Sequence, residues 1–150
     1  MDSTGPNPVF ADTQQEQDRR ALHSMLEYLC STTRADRCVA ILKPNSPSAL
    51  HVTAGQPLPA TADPLVPLRN ECLAMGKVVD REDVKLDRRL NAAACSRIGV
   101  AAVVIAPVML DGRTMGAVEM HSSQMHNFMQ YELEIMQRVA DAIGALICLK

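Results

Sequence analysis

The chain has 150 residues, 47% of them hydrophobic and 21% charged, with a formal net charge of −2. That is enough length and apolar content for one domain with a real core, which excludes disorder throughout. The nearly balanced charge provides no field to draw in nucleic acid or acidic lipid, and the longest nearly unbroken apolar stretch, residues 100–110, is far too short to span a membrane.

Five cysteines are present, Cys30, Cys38, Cys72, Cys95 and Cys148, an odd number with no CxxC pair. The first ten residues carry acid, Gly and Pro where a secretory leader needs a basic flank and an apolar run. The expectation is therefore reduced thiols in the cytoplasm. With two Phe, two Tyr and no Trp, the core must rest on aliphatic residues and nine Met, and the aromatic platforms that bind single-stranded nucleic acid are missing.

In chain order, Gly5, Pro6 and Pro8 mark residues 1–11 as a flexible tail, leaving 12–150 as a single domain. Asp12, with Gln15 completing a capping box, opens a helix whose apolar face is Leu22, Met25, Leu26 and Leu29. Its early turns, residues 14–20, are polar all round and either sit in water or reach toward a partner helix. Residues 38–42 read as a strand, 44–48 as a turn, and 50–54 as a second strand closing at Gly55. Pro57, Pro59, Pro64 and Pro67 then make residues 56–67 a stiff loop that cannot be a central strand.

Residues 68–75 read as a short helix ended by Gly76 in a left-handed cap, Val78 and Val79 as a brief strand, and 80–89 as a charged connection. Another helix covers residues 88–98 and ends at Gly99. Residues 100–108 form a strand buried on both faces. Asp111-Gly112 supplies the positive φ angles of a tight hairpin, and residues 114–122 return. Asn127 and Gln130 offer a second capping box before a final helix with Leu133, Met136, Ala140, Ile143 and Ile147 on one face. The elements do not alternate as parallel βαβ units do. The fold class is α+β: an antiparallel sheet of about five or six strands, with the first and last helices on one face and short helices and loops over the other.

This order resembles the GAF family of sensory domains. The residues that carry the resemblance are Gly76 to Val79, Asp83, Arg97 to Val100, Ile105 to Val108, Asp111 to Met120, Ser122, Phe128 and the final helix. Pro107 suits a strand end leading into the hairpin, Gly116 a close approach of strand to helix, and Phe128 a plug that seats the last helix on the sheet. The resemblance implies a pocket on one sheet face for a cyclic nucleotide, bilin, haem or other small molecule. It also implies terminal helices that pair in a homodimer and pass a signal to an output partner. Where the family often carries Arg and Ser, this chain has Ala101 and Ala102, which removes donors that a phosphate-bearing ligand needs. No particular cofactor is named by the sequence.

For such a pocket the candidate residues are Cys72, Asp83, Asp87, Cys95, Ala102, Val104, Glu119 and His121. Asp83 and Asp87 belong to a mixed-sign cluster over residues 80–89, read as a solvated face with local ion pairs and, if a pocket exists, as its lid. Cys72 and Cys95 raise an enzymatic alternative, because one GAF-like family reduces free methionine sulfoxide with an attacking and a resolving thiol. The helical flanks of Cys72, and Glu119 with His121 where that family has an acidic pair, make inert packing thiols the favoured reading. A bilin on Cys95 is disfavoured by Ser96, where a His usually follows. Of His23, His51, His121 and His126, the last two share one loop but lack a carboxylate or thiol at ligand spacing and His23 sits beside the apolar face of the first helix, so surface or loop histidines are expected.

Overall fold

The computed structural model describes residues 13–43 and 49–148. The expected tail at 1–11, the cap at Asp12 and the turn at 44–48 lie outside the described residues. The first helix, α1 (Gln14–Thr33), is capped by Thr13, whose hydroxyl accepts from the Glu16 amide at 3.1 Å. Strands β1 (Arg37–Leu42) and β2 (Leu50–Gly55) follow, then α2 (Val66–Met75), β3 (Val79–Arg81) and a single 3-10 turn at Val84–Leu86. The short α3 (Ala92–Arg97), β4 (Ala102–Leu110), β5 (Arg113–Ser122) and α4 (Gln130–Cys148) complete the order.

The five strands form one sheet in the order β2-β1-β5-β4-β3, every described pairing antiparallel. Alternation along the strands separates two cores. On one face Cys38, Ala40, Val52, Ala102, Val104, Ala106, Val118 and Met120 pack beneath α1 and α4, against Leu22, Leu26 and Leu29 of one helix and Met136, Ala140 and Ile143 of the other. Phe128, 8% exposed, closes this layer where the chain enters α4. Burying each of these large side chains stabilises the fold by roughly 1.5–3 kcal/mol. The polar turns of α1 at residues 14–17 are exposed.

On the other face Val103, Ile105 and Ala117 meet Leu65, Leu68 and Cys72 around α2, and Val84, Leu90, Cys95 and Ile98 from the segments that follow. The hairpin joining β4 to β5 has the expected geometry, with Leu110 opposite Arg113 and positive φ at both Asp111 and Gly112. Gly76 ends α2 in the left-handed conformation, its amide donating to the Cys72 carbonyl at 2.8 Å.

Three local expectations change. Pro107 stands inside β4, opposite Ala117, and not at its end. It is tolerated there because β3 pairs only as far as Ile105, so β4 is an edge on that side beyond it. The close approach between sheet and helix belongs to Gly144 of α4, where a Cβ would lie 2.7 Å from the Met109 carbonyl oxygen, whereas Gly116 faces the backbone of β1. The start of α4 is secured not by Asn127 and Gln130 but by Glu132, whose carboxylate accepts from the Met129 amide at 2.9 Å and from His126 at 3.0 Å. Gly144→Ala is expected to destabilise the protein by about 1–3 kcal/mol through overpacking, although the same change on an exposed helix would stabilise it by roughly 1 kcal/mol. The midpoint of urea unfolding reads the sign directly.

Candidate functional site

Because successive side chains on a strand point to opposite faces, Glu119 and His121, two apart on β5, both face the layer around α2. Each is about 1% exposed, so each needs a partner. The Glu119 carboxylate accepts from Nε of Arg69, on the first turns of α2, and lies 2.9 Å from His121 Nε2. On the neighbouring strand, Arg37 Nη1 is 3.0 Å from His121 Nδ1. A guanidinium only donates, so Nδ1 accepts, and the imidazole proton sits on Nε2 and donates to Glu119.

The chain of contacts extends at both ends. Arg37 donates from Nε to the Gln56 carbonyl and from Nη2 to the Pro57 carbonyl, both at 3.0 Å. Arg69 Nη2 lies 2.8 Å from Asp63 Oδ2, and the other oxygen of Asp63 accepts from the Leu65 amide at 2.9 Å. Asp63, Arg69, Glu119, His121 and Arg37 thus form one continuous network across the sheet. Two carboxylates offset two guanidiniums around a neutral imidazole, so the network carries no net formal charge. Burial alone would push the Glu119 carboxyl up, but the His121 hydrogen bond and the Arg69 charge outweigh it and hold the group down to about 2.

Both ends of the network grip one loop. Residues 56 and 57 hang from Arg37, and Asp63 is held by Arg69. Between those anchors the loop forms one wall of a cleft of about 570 Å³, whose other walls are His51 and Thr53 of β2 and Ile98. The prolines of this loop fix its shape, and the two arginines fix its position.

Of the residues that the sequence singles out, Glu119 and His121 lie in the network and Cys72 is packed beside it. Cys72 donates to the Ile105 carbonyl across 3.6 Å, and burial, reinforced by the charges of Glu119 and Glu71, pushes its thiol up to about 12. Cys95 is buried in the same layer, its thiol pushed up by burial and by Asp63. Ala102 and Val104 point the other way, into the core beneath the terminal helices, and do not line the cleft. Asp83 caps the 3-10 turn through the Lys85 amide. Asp87 is paired with Arg81 at 3.1 Å and with Arg89 at 2.8 Å, contacts that hold its carboxyl far below the usual range. The loop that walls the cleft is residues 58–63, and residues 80–89 do not line it.

His121 and His126 each have the carboxylate that spacing did not reveal, Glu119 and Glu132 respectively. Among the described residues no group of three or more His, Cys, Asp or Glu is arranged to hold a metal ion. Arg37, Arg69 and Asp63 are the site residues that the sequence reading passed over. Arg69 was detectable in principle, as a cation between Leu68 and Cys72 on the buried side of a short helix.

The GAF domain family matches residues 19–147. The chain belongs to the GAF domain family. Solved structures of similar fold agree. The type II free methionine-R-sulfoxide reductase from Thermoplasma acidophilum superposes with a TM-score of 0.73 at 16% identity, over 89% of this chain and 94% of that one. The GAF domain of a phosphoenolpyruvate-protein phosphotransferase from Coxiella burnetii gives 0.71 at 16% identity, over 88% and 83%. A GAF domain of Slr1393 from Synechocystis sp. PCC6803, in its photoproduct state, gives 0.65 at 11% identity, over 87% and 92%. At such identities the likeness establishes the fold alone. Among curated proteins no match to the sequence is found. Within this GAF domain no described helix is long and apolar enough to cross a membrane.

The thiols of this GAF domain sort by environment. Cys30 is half-buried at the end of α1, its thiol lowered mainly by its hydrogen bond with Cys38, whose own thiol is pushed far up by that bond and by burial. Alkylation of the native protein near neutral pH is expected to modify Cys30 before Cys38, Cys72 and Cys95, which react only on unfolding. Peptide-resolved mass spectrometry after a short iodoacetamide pulse checks the order.

Proposed function

We infer that this GAF domain is a sensory or regulatory module of the cytoplasm that binds a small molecule in the cleft walled by residues 58–63 and pairs with a second copy through its terminal helices. The observation that carries the reading is the double anchoring of that wall. A loop of 58–63 anchored on either side by buried arginines, walling a cleft within the size range of ligand pockets, is a preformed site with a fixed wall. The network beneath it includes His121, and β5 then leads into α4. The backbone of His121 accepts from the Asp36 amide at 3.0 Å, and the Asp36 carboxylate accepts from the Ser123 amide at 2.7 Å. The end of α1 and the approach to α4 are thereby fastened to the strand that carries the network, which gives a bound molecule a mechanical route to both helices and to an output partner.

A reductase acting through Cys72 and Cys95 fits less well. An attacking thiol must ionise and meet its substrate, and burial sets Cys72 against both. Native mass spectrometry of protein purified gently from cells tests the sensor reading. A dimer carrying a small molecule supports it, and a bare monomer across the accessible concentration range contradicts it. Methionine sulfoxide reduction that disappears when both cysteines are replaced by Ser would restore the enzymatic alternative.

A further inference from the structure

The walls of the cleft specify a ligand class. We propose that it takes a small aliphatic molecule bearing a protonated primary or secondary amine, with the Asp63 carboxylate as the counter-ion. This rests on the ligand-sensing reading of the same cleft.

The argument begins with charge. No Lys or Arg is among the described residues that line the cleft, and Asp63 is the acidic one. The guanidiniums bonded to the cleft's loop and strand are each committed: Arg37 to His121, Gln56 and Pro57, Arg69 to Glu119 and Asp63, and Arg19 to the His51 carbonyl. An anionic ligand would meet the Asp63 carboxylate, whose pairing cation, Arg69, is already shared with Glu119. Phosphates and carboxylates are thereby disfavoured.

Asp63 has capacity to spare. Its two oxygens offer about four acceptor positions, of which the Leu65 amide and Arg69 Nη2 take one each. The side chain is 37% exposed, which leaves the carboxylate accessible for a further contact. A neutral ligand that covered the carboxylate would displace water and leave the acceptors unmet, which costs about 1–3 kcal/mol. An ammonium N–H meets them with a charge-assisted bond, roughly twice as strong as a neutral one.

The rest of the wall selects the remainder of the molecule. Leu58, Pro59, Ala60, Ala62 and Ile98 present aliphatic surface. His51 is the one ring among the described lining residues, too little for the aromatic cage that holds a quaternary ammonium through cation–π contact. The amine must therefore have N–H groups to donate, and its carbon skeleton must be aliphatic.

The test titrates isotope-labelled protein with n-hexylamine, 1-hexanol and hexanoate at about pH 8, where an alkylamine remains protonated, following the amide resonances of Thr53, Thr61, Ala62 and Ile98. The expected result is saturable movement of those resonances with the amine, at an affinity about tenfold above the alcohol's, and none with hexanoate. Hexanoate or hexanol equalling the amine overturns the amine class while leaving the cleft as a ligand site. No saturable movement from any of the three overturns the inference and removes the cleft from the sensor reading as well. Asp63→Asn is expected to bring the amine down to the alcohol's affinity without changing the alcohol's. An equal loss for both probes would mean that Asp63 only shapes the loop, and would also overturn the proposal. The comparison among probes on the unaltered protein needs no variant and survives if Asp63→Asn folds poorly.

Discussion

Glu119→Ala is expected to lower the unfolding free energy by about 3–5 kcal/mol, the usual consequence of removing one partner from a buried ion pair. Arg69 would keep only Asp63, and the Nε2 proton of His121 would be left without an acceptor in a layer closed to water. The same group makes stability depend on acid. Glu119 is held at about 2 in the folded protein against an ordinary value of 4.5. A depressed carboxyl stabilises the folded state above the unfolded value, and that contribution is lost as pH falls from 4.5 toward 2. The shift corresponds to about 3 kcal/mol, in line with the mutational expectation. Urea unfolding followed across this range should show a steep acid limb in the native sequence and a flatter one in Glu119→Gln. Equal limbs in the two proteins would place the acid sensitivity elsewhere.

Gly116→Ala is expected to cost about 3 kcal/mol, the upper part of the range for overpacking, and to lower the melting temperature by about 6–12 °C. The added Cβ would overlap the Ile41 carbonyl oxygen and lie 2.8 Å from the Leu42 Cα. Both atoms are backbone of β1, so no rotamer change relieves the clash, and β1 must part from β5 where Leu42 faces Gly116. Gly112→Ala is the contrast: nothing lies within 4 Å of its Cβ, but φ is +75°. Only the left-handed conformation is penalised there, by roughly 1–2 kcal/mol. A scanning calorimeter separates the two, and a larger drop for Gly112→Ala would contradict the packing argument.

The elements were legible in the sequence because each is written in local chemistry. Leu22, Leu26 and Leu29 repeat at helical spacing, Asp111-Gly112 has the two positive φ angles that its hairpin needs, and the unbroken apolar run of β4 reflects burial on both faces. The site was legible only in part. Glu119 and His121 stand out as polar residues in an apolar strand, but their partners, Arg37 and Arg69, come from a strand start and a helix start 84 and 50 residues away. Nothing local distinguishes Arg37 from a surface arginine, and Arg69 is marked only by its place between Leu68 and Cys72 on the buried side of its helix. The choice of face was equally hidden for Ala102 and Val104, since a strand buried on both sides has no polar alternation to fix its phase. The role of the loop at 56–67 was missed for a related reason. Its prolines announce rigidity, whereas the cleft it walls exists only once β2 and Ile98 are in place.

The sheet order has a consequence for synthesis. The β4–β5 hairpin closes through neighbours in sequence, but β1 must wait for β5, and Arg37 and His121 are 84 residues apart. On the ribosome, at about 5–20 residues per second, roughly 4–17 seconds separate the emergence of one from the other. During that interval β1 has only β2 beside it, and its inner edge, with the apolar side chains of Cys38, Val39 and Ala40, remains unpaired. Nascent chains are thus most vulnerable to sticking or to chaperone capture before residue 113 is made, and folding of the finished chain belongs with the slower class in which long-range strand pairing sets the rate.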